Sequence, residues 1–181
     1  MIYKRMKGTI METIVQAKRV LEIFKEMSQI PRESGNEKGI SDYIVNFAKN
    51  LGLEAHQDEI LNVVIKKDAS LGYESRPSII IQGHIDMVCV KDHASNHDFS
   101  KDPIANIIEG EWMRADHTTL GADNGMGAAM MLAILEDESQ QHGPMQLLFT
   151  TNEETGMDGA FALKEGQVTG DYLINLDTEV E

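Results

Sequence analysis

At 181 residues, with 41% hydrophobic and 25% charged side chains, the chain fits one globular domain that buries roughly two-thirds of its unfolded surface. Its 16 basic and 30 acidic residues give a net charge of −14, which repels phosphate backbones and anionic lipid. Nucleic acid and membrane surfaces are therefore excluded as expected partners, whereas cations are attracted.

Cys89 stands alone, so no internal disulfide forms within the chain, which suits a reducing compartment. Lys4, Arg5 and Lys7 resemble the start of a signal peptide, but Glu12, Gln16, Lys18 and Arg19 interrupt any apolar core behind them. No run approaches the ~18 apolar residues of a membrane span. The expected location is the cytoplasm, and Met11 is an equally good start of translation.

In chain order, residues 12–28 read as a helix with Ile14, Ala17, Leu21 and Phe24 on one face, flanked by Val20 and Met27. Pro31 and Ser34-Gly35-Asn36 break the chain. A second helix starts near Glu37, aligns Ile40, Ile44, Phe47 and Leu51, and stops at Gly52. Two short strands follow, at 53–57 and 60–66, then an apolar strand at 78–82 that reads as buried on both faces. Residues 91–110 are polar and read as a long ordered loop. A third helix runs from about Asn124 to Glu136, where Gly125, Gly127, Ala128 and Ala129 permit close approach to a sheet. Residues 145–151 read as a strand, 159–164 as a short helix and 172–176 as a last strand. Helices alternating with apolar strands predict a three-layer α/β domain.

The polar residues fall at telling places. His84 and Asp86 follow one predicted strand, Glu153 and Glu154 the next, and Asp177 the last, while Asp123 opens the third helix. Open α/β sheets bind ligands beyond the carboxyl ends of their strands. A histidine two residues from a carboxylate is a pattern of metal ligation, because the carboxylate fixes the ring through its other nitrogen; a strand-end histidine satisfied by backbone is the alternative. Asp123 is read equally well as a helix cap or a ligand. The glycine-rich stretch 121–127 lacks the dinucleotide spacing, and an aspartate stands where an anion would bind. Adjacent Glu153 and Glu154 repel unless a cation or proton relieves them. One imidazole and several carboxylates suit a pair of divalent ions, zinc above all, with manganese or cobalt as substitutes. Cys89, His93 and His97 have zinc-like spacing, but their polar, Pro-interrupted segment reads better as a surface loop.

Six segments resemble one family: IPRESGNEKGISDYIVNFAK, GHIDMVCVK, HDFSKDPI, TTLGADNGMG, NEETGMDGA and LINLDTE. From Ile30 to its last residue the chain is similar to the aminoacyl-histidine dipeptidases (Xaa-His or cytosol non-specific dipeptidases), a branch of the di-zinc exopeptidases. HDFSKDPI and TTLGADNG are specific to that branch. The resemblance implies a three-layer αβα zinc-exopeptidase-like domain with a mixed, largely parallel central sheet. Residues 1–181 would be the N-terminal part of its catalytic domain, without the lid or dimerisation domain and the C-terminal catalytic part, so the fold would be incomplete.

The same resemblance implies hydrolysis of dipeptides by a water activated between two zinc ions. His84 and Asp177 would bind one ion, Asp123 would bridge, and Glu154 would bind the other. Glu153 would act as general base, and Asp86 would orient His84. A cis peptide is implied between Asp123 and Asn124. A distal histidine beyond residue 181 would complete the second zinc site, so the 181 residues alone are expected to bind the second ion weakly and to have little activity. The full-length protein is a candidate homodimer. Two positions depart from the dipeptidase pattern: His117 replaces a usual glycine, and Asn152 a common aspartate. An N-acyl amino acid hydrolase or tripeptidase of the wider family, or a non-catalytic module, are the competing readings.

Overall fold

The computed structural model describes residues 17–177. Helix α1 covers 17–27 of these, followed by α2 (Lys38–Asn50), β1 (Glu54–Gln57), β2 (Val63–Lys67) and β3 (Ile79–His84). Then come β4 (Asn106–Glu109), β5 (Trp112–Ala115), α3 (Ala122–Glu136), β6 (Met145–Thr150), α4 (Glu153–Gly156), α5 (Asp158–Phe161) and β7 (Tyr172–Asn175).

Five strands form one sheet in the order β1-β2-β6-β3-β7. Strands β6, β3 and β7 are parallel, while β2 is antiparallel to both β6 and β1. Only β2 therefore runs against the other four strands, which matches the mixed, largely parallel expectation. On one face, α1, α2 and α3 bury Phe24, Ile44 and Leu132 against Val63, Ile81, Leu147 and Phe149. The pleat sends Val64, Ile80 and Leu148 to the opposite face, where Leu163 and Val168 pack on them. That second covering layer is thin among the described residues. Strand β7 is exposed along its whole length.

Helix α2 ends where Gly52 predicts. The Leu53 N–H reaches the Ala48 carbonyl and the Gly52 N–H reaches that of Lys49, a Schellman closure. Within α3, Gly125, Gly127, Ala128 and Ala129 are all buried, so the helix lies close to the sheet.

Three expectations are corrected. Helix α1 docks through Val20, Ile23, Phe24 and Met27, not through Ala17 and Leu21; Leu21 is exposed, and Ile14 lies outside the described residues. Both stripes have helical spacing, and the sheet's position chooses between them. Residues 91–110 are not all loop either. Asn106–Glu109 pairs with Trp112–Ala115 in an antiparallel hairpin whose turn contains Gly110 at φ 63. The polar residues around it hid the short Ile107-Ile108 and Trp112-Met113 pairs, and the two-residue turn was the available signal. The short helix predicted at 159–164 instead falls at Asp158–Phe161, preceded by α4.

Candidate metal centre

Three parallel strands deliver the polar residues to one edge of the sheet. His84 is the last residue of β3, Glu153 and Glu154 open α4 just after β6, and Asp177 follows β7. Asp123 sits at the start of α3, where its own φ/ψ and those of Asn124 are non-helical and the Asp123–Asn124 peptide is cis, as the resemblance implied.

His84 is the centre of the cluster and is almost fully buried. Its Nδ1 lies 3.2 Å from Asp86 Oδ1. Its Nε2 faces three acids: Asp123 Oδ1 at 3.2 Å, Asp177 Oδ2 at 3.6 Å and Glu153 Oε2 at 3.9 Å. Two sets of ligand atoms fall within 4.8 Å of one another, His84-Asp123-Glu154 and His84-Glu153-Asp177. All six residues singled out in the sequence therefore converge. Cys89, His93 and His97 belong to no such cluster among the described residues. The Cys89 thiol lies against the Met87 carbonyl, and the His97 ring meets Phe99 edge-on.

Asp86 is wholly buried and saturated with donors. Ser34 Oγ donates to it at 2.7 Å, and the backbone N–H groups of Glu153 and Glu154 donate at 3.1 and 3.2 Å. Burial pushes its pKa up, but His84, Ser34 and those two amides outweigh burial and hold it down at about 2. Burial likewise works against a charged His84, and Asp86, Asp177 and Glu153 overcome it, raising the imidazole to about 9. Glu154 is raised, first by burial and then by the charges of Asp123, Glu153 and Asp86, with His84 opposing.

The cluster is thus one imidazole among crowded carboxylates, held by a carboxylate behind it and open in front. A nitrogen and several oxygens aimed at a common space are the donor chemistry of zinc, manganese or cobalt, and both sets draw on the same His84 ring. The residues present fit such an ion.

The two departures from the family pattern have local explanations. Asn152 adopts a left-handed conformation (φ 53), which asparagine tolerates, and its Nδ2 donates to Asp158. An aspartate there would face that carboxylate. His117 also has positive φ (57), the region glycine favours, and its Nδ1 pairs with Asp92.

Arg32, Ser34 and Glu37 also touch the loops of this cluster, although no single-residue signal in the sequence pointed to them. They lie between α1 and α2, where neither helical nor strand periodicity reports on side-chain placement.

Fold and cluster together define a mixed-sheet α/β protein with a histidine–carboxylate cluster at the carboxyl edge of its sheet. Residues 80–179 match Peptidase family M20/M25/M40, and the chain belongs to that family. It is 46% identical over 160 residues to the cytosol non-specific dipeptidase of Escherichia coli K12, a match covering 88% of this chain and 33% of the relative. It superposes on the aminoacylhistidine dipeptidase of Vibrio alginolyticus with a TM-score of 0.87 and 44% identity, covering 90% of this chain and 33% of the other. For a tripeptidase of Staphylococcus aureus the TM-score is 0.76 with 26% identity, covering 90% and 44%. The chain thus spans about a third of the length of the two dipeptidases.

Proposed function

We propose that this chain is the N-terminal part of the catalytic domain of a cytosolic metallo-dipeptidase acting on Xaa-His and other dipeptides. The observation that carries the reading is the convergence of His84 with Asp123, Glu154, Glu153 and Asp177. The names of the two dipeptidase relatives support the substrate class, and the word cytosol in one of them, with the lone Cys89, supports the location.

In this reading His84 and Asp177 would hold one ion and Glu154 the other, with Asp123 shared between the two sites. Divalent ions there, zinc or in its place manganese or cobalt, would supply a Lewis acid for the scissile carbonyl and would lower the pKa of a bound water toward ~7. Glu153 would act as general base, taking a proton at a carboxylate oxygen and passing it to the leaving amine. Asp86 holds the Nδ1–H of His84, which keeps Nε2 directed at the cluster. Burial of His84 and Asp86 keeps that pair dry and the ring fixed.

The test uses the full-length protein. Zinc titration calorimetry should give two bound ions, with binding lost or weakened in His84→Ala and Glu154→Ala. Glu153→Gln should retain metal and lose about 10²–10⁴-fold in kcat on Ala-His. Unchanged zinc uptake in both ligand variants would overturn the metal assignment. Faster turnover of an N-acetyl amino acid or a tripeptide than of Ala-His would move the protein to another branch of the family.

A further inference from the structure

The loop between α1 and α2 reaches every ligand-bearing segment of the cluster except Asp177. Arg32 is 2% exposed, and its donors go to backbone carbonyls. Nη1 donates to the carbonyls of Ile85 and Asp86, both at 3.2 Å, and Nη2 donates to that of Gly121. One guanidinium thus joins the segment after β3, which carries His84 and Asp86, to the turn that carries Asp123.

The loop's backbone strengthens the grip, since the Met87 N–H donates to the Arg32 carbonyl at 3.1 Å. Ser34 Oγ holds Asp86. Glu37, also buried, accepts the Asn152 N–H at 3.0 Å and so reaches the turn just before Glu153 and Glu154.

A second observation comes from glycines. A Cβ at Gly121 or at Gly125 would come within 2.5 Å of Arg32 Nη2. The helix start that presents Asp123 is therefore built without side chains where the guanidinium lies against it. A buried arginine directed at carbonyls is an expensive way to stabilise a core, because apolar residues of similar volume usually do as well or better. Its placement has a better account in geometry: a planar fork fixes the relative position of the two segments it bridges.

We infer that Arg32, Ser34 and Glu37 form a clip that sets the spacing of the three ligand-bearing loops before any ion binds, with Arg32 as its principal positioning residue. The inference rests on the two-ion reading above. Arg32 touches neither ions nor substrate in it; it acts through the backbone at positions 85, 86 and 121.

The experiment measures zinc affinity by chelator competition, and amide hydrogen exchange in the metal-free protein, on full-length Arg32→Lys, Arg32→Met, Ser34→Ala and Glu37→Gln. Ile44→Ala, in the core beneath α2, is the control for general destabilisation. Arg32→Lys and Arg32→Met should weaken zinc binding by about 10–100-fold, the range for groups that orient ligands. Exchange at 85–87 and 121–124 should quicken in the metal-free variants, and Ser34→Ala and Glu37→Gln should follow with smaller losses. Ile44→Ala should lower the unfolding midpoint while leaving zinc affinity within about twofold.

The clip is refuted if both Arg32 variants keep wild-type affinity, or if Ile44→Ala weakens zinc binding as much as they do. Should Arg32→Met not fold, Arg32→Lys and Ser34→Ala carry the same comparison. If His84→Ala binds zinc as tightly as the wild type, the two-ion reading has failed, and with it the clip. If His84→Ala loses zinc and Arg32→Lys does not, only the clip has failed.

Discussion

Asp86 accepts the backbone N–H of Glu153 at 3.1 Å, tying the end of β3 to the start of α4 across 67 positions of sequence. The same carboxylate holds the Glu154 N–H, the Ser34 hydroxyl and the His84 ring. It therefore does more than orient one imidazole. It also fixes where the glutamate pair begins, so ring and acids are registered to each other through one buried group.

Replacing Asp86 with alanine would leave several buried donors without an acceptor. Asp86→Ala should lower the unfolding free energy by about 3 kcal/mol in denaturant titration. The folded carboxyl titrates near 2 against 3.8 when unperturbed. Its contribution is therefore complete above pH ~4 and is lost as pH falls through 2. The metal-free Asp86→Asn variant should show a flatter stability profile between those pH values, and an unchanged acid limb would contradict this account.

Asn152 donates its side-chain amide to Asp158. Asn152→Asp restores the common family residue but brings two carboxylates together, with buried Glu37 already accepting the Asn152 backbone N–H. The thermal midpoint should fall by a few degrees at pH 7. Equal midpoints at pH 7 would show that the chain rearranges to separate the acids.

His117 combines a positive φ with an exposed ion pair to Asp92. His117→Gly removes both, while the backbone bond from the Asp92 N–H to the His117 carbonyl is retained. Exposed pairs contribute little, so relief of the backbone should prevail and raise the midpoint by roughly 2–4 °C. A lower midpoint would mean that the ion pair is the stronger effect.

Burial pushes the Cys89 thiol up to about 11, reinforced by Glu33 and opposed by Arg32. Alkylation at pH 8 should run about 100-fold slower than for a free cysteine, because the thiolate is scarce. The sign for stability follows from the raised value. The preference for the neutral thiol is fully present below the unperturbed 9.0 and is lost as pH rises through 11. A Cys89→Ser variant should lack that alkaline loss, which a comparison of unfolding at pH 8 and 10.5 would read.

Much of this protein was legible along the chain because the signals are local. Apolar strands, a helix of small residues and a glycine stop announce themselves within a few positions, and the resemblance pointed to the cis peptide at Asp123–Asn124. The acids of the centre other than Asp123, which opens α3, could be picked out because each follows a strand, and parallel strands bring their carboxyl ends to one edge. What only the tertiary structure decided involves choices between equal local options or contacts at long range. The buried stripe of α1 runs through Ile23 instead of Leu21 because the sheet lies on that side. Arg32 meets the Gly121 carbonyl 89 residues away, and Glu37 meets Asn152 at a separation of 115. No periodicity encodes such pairs, since they exist only once the chain has closed around them.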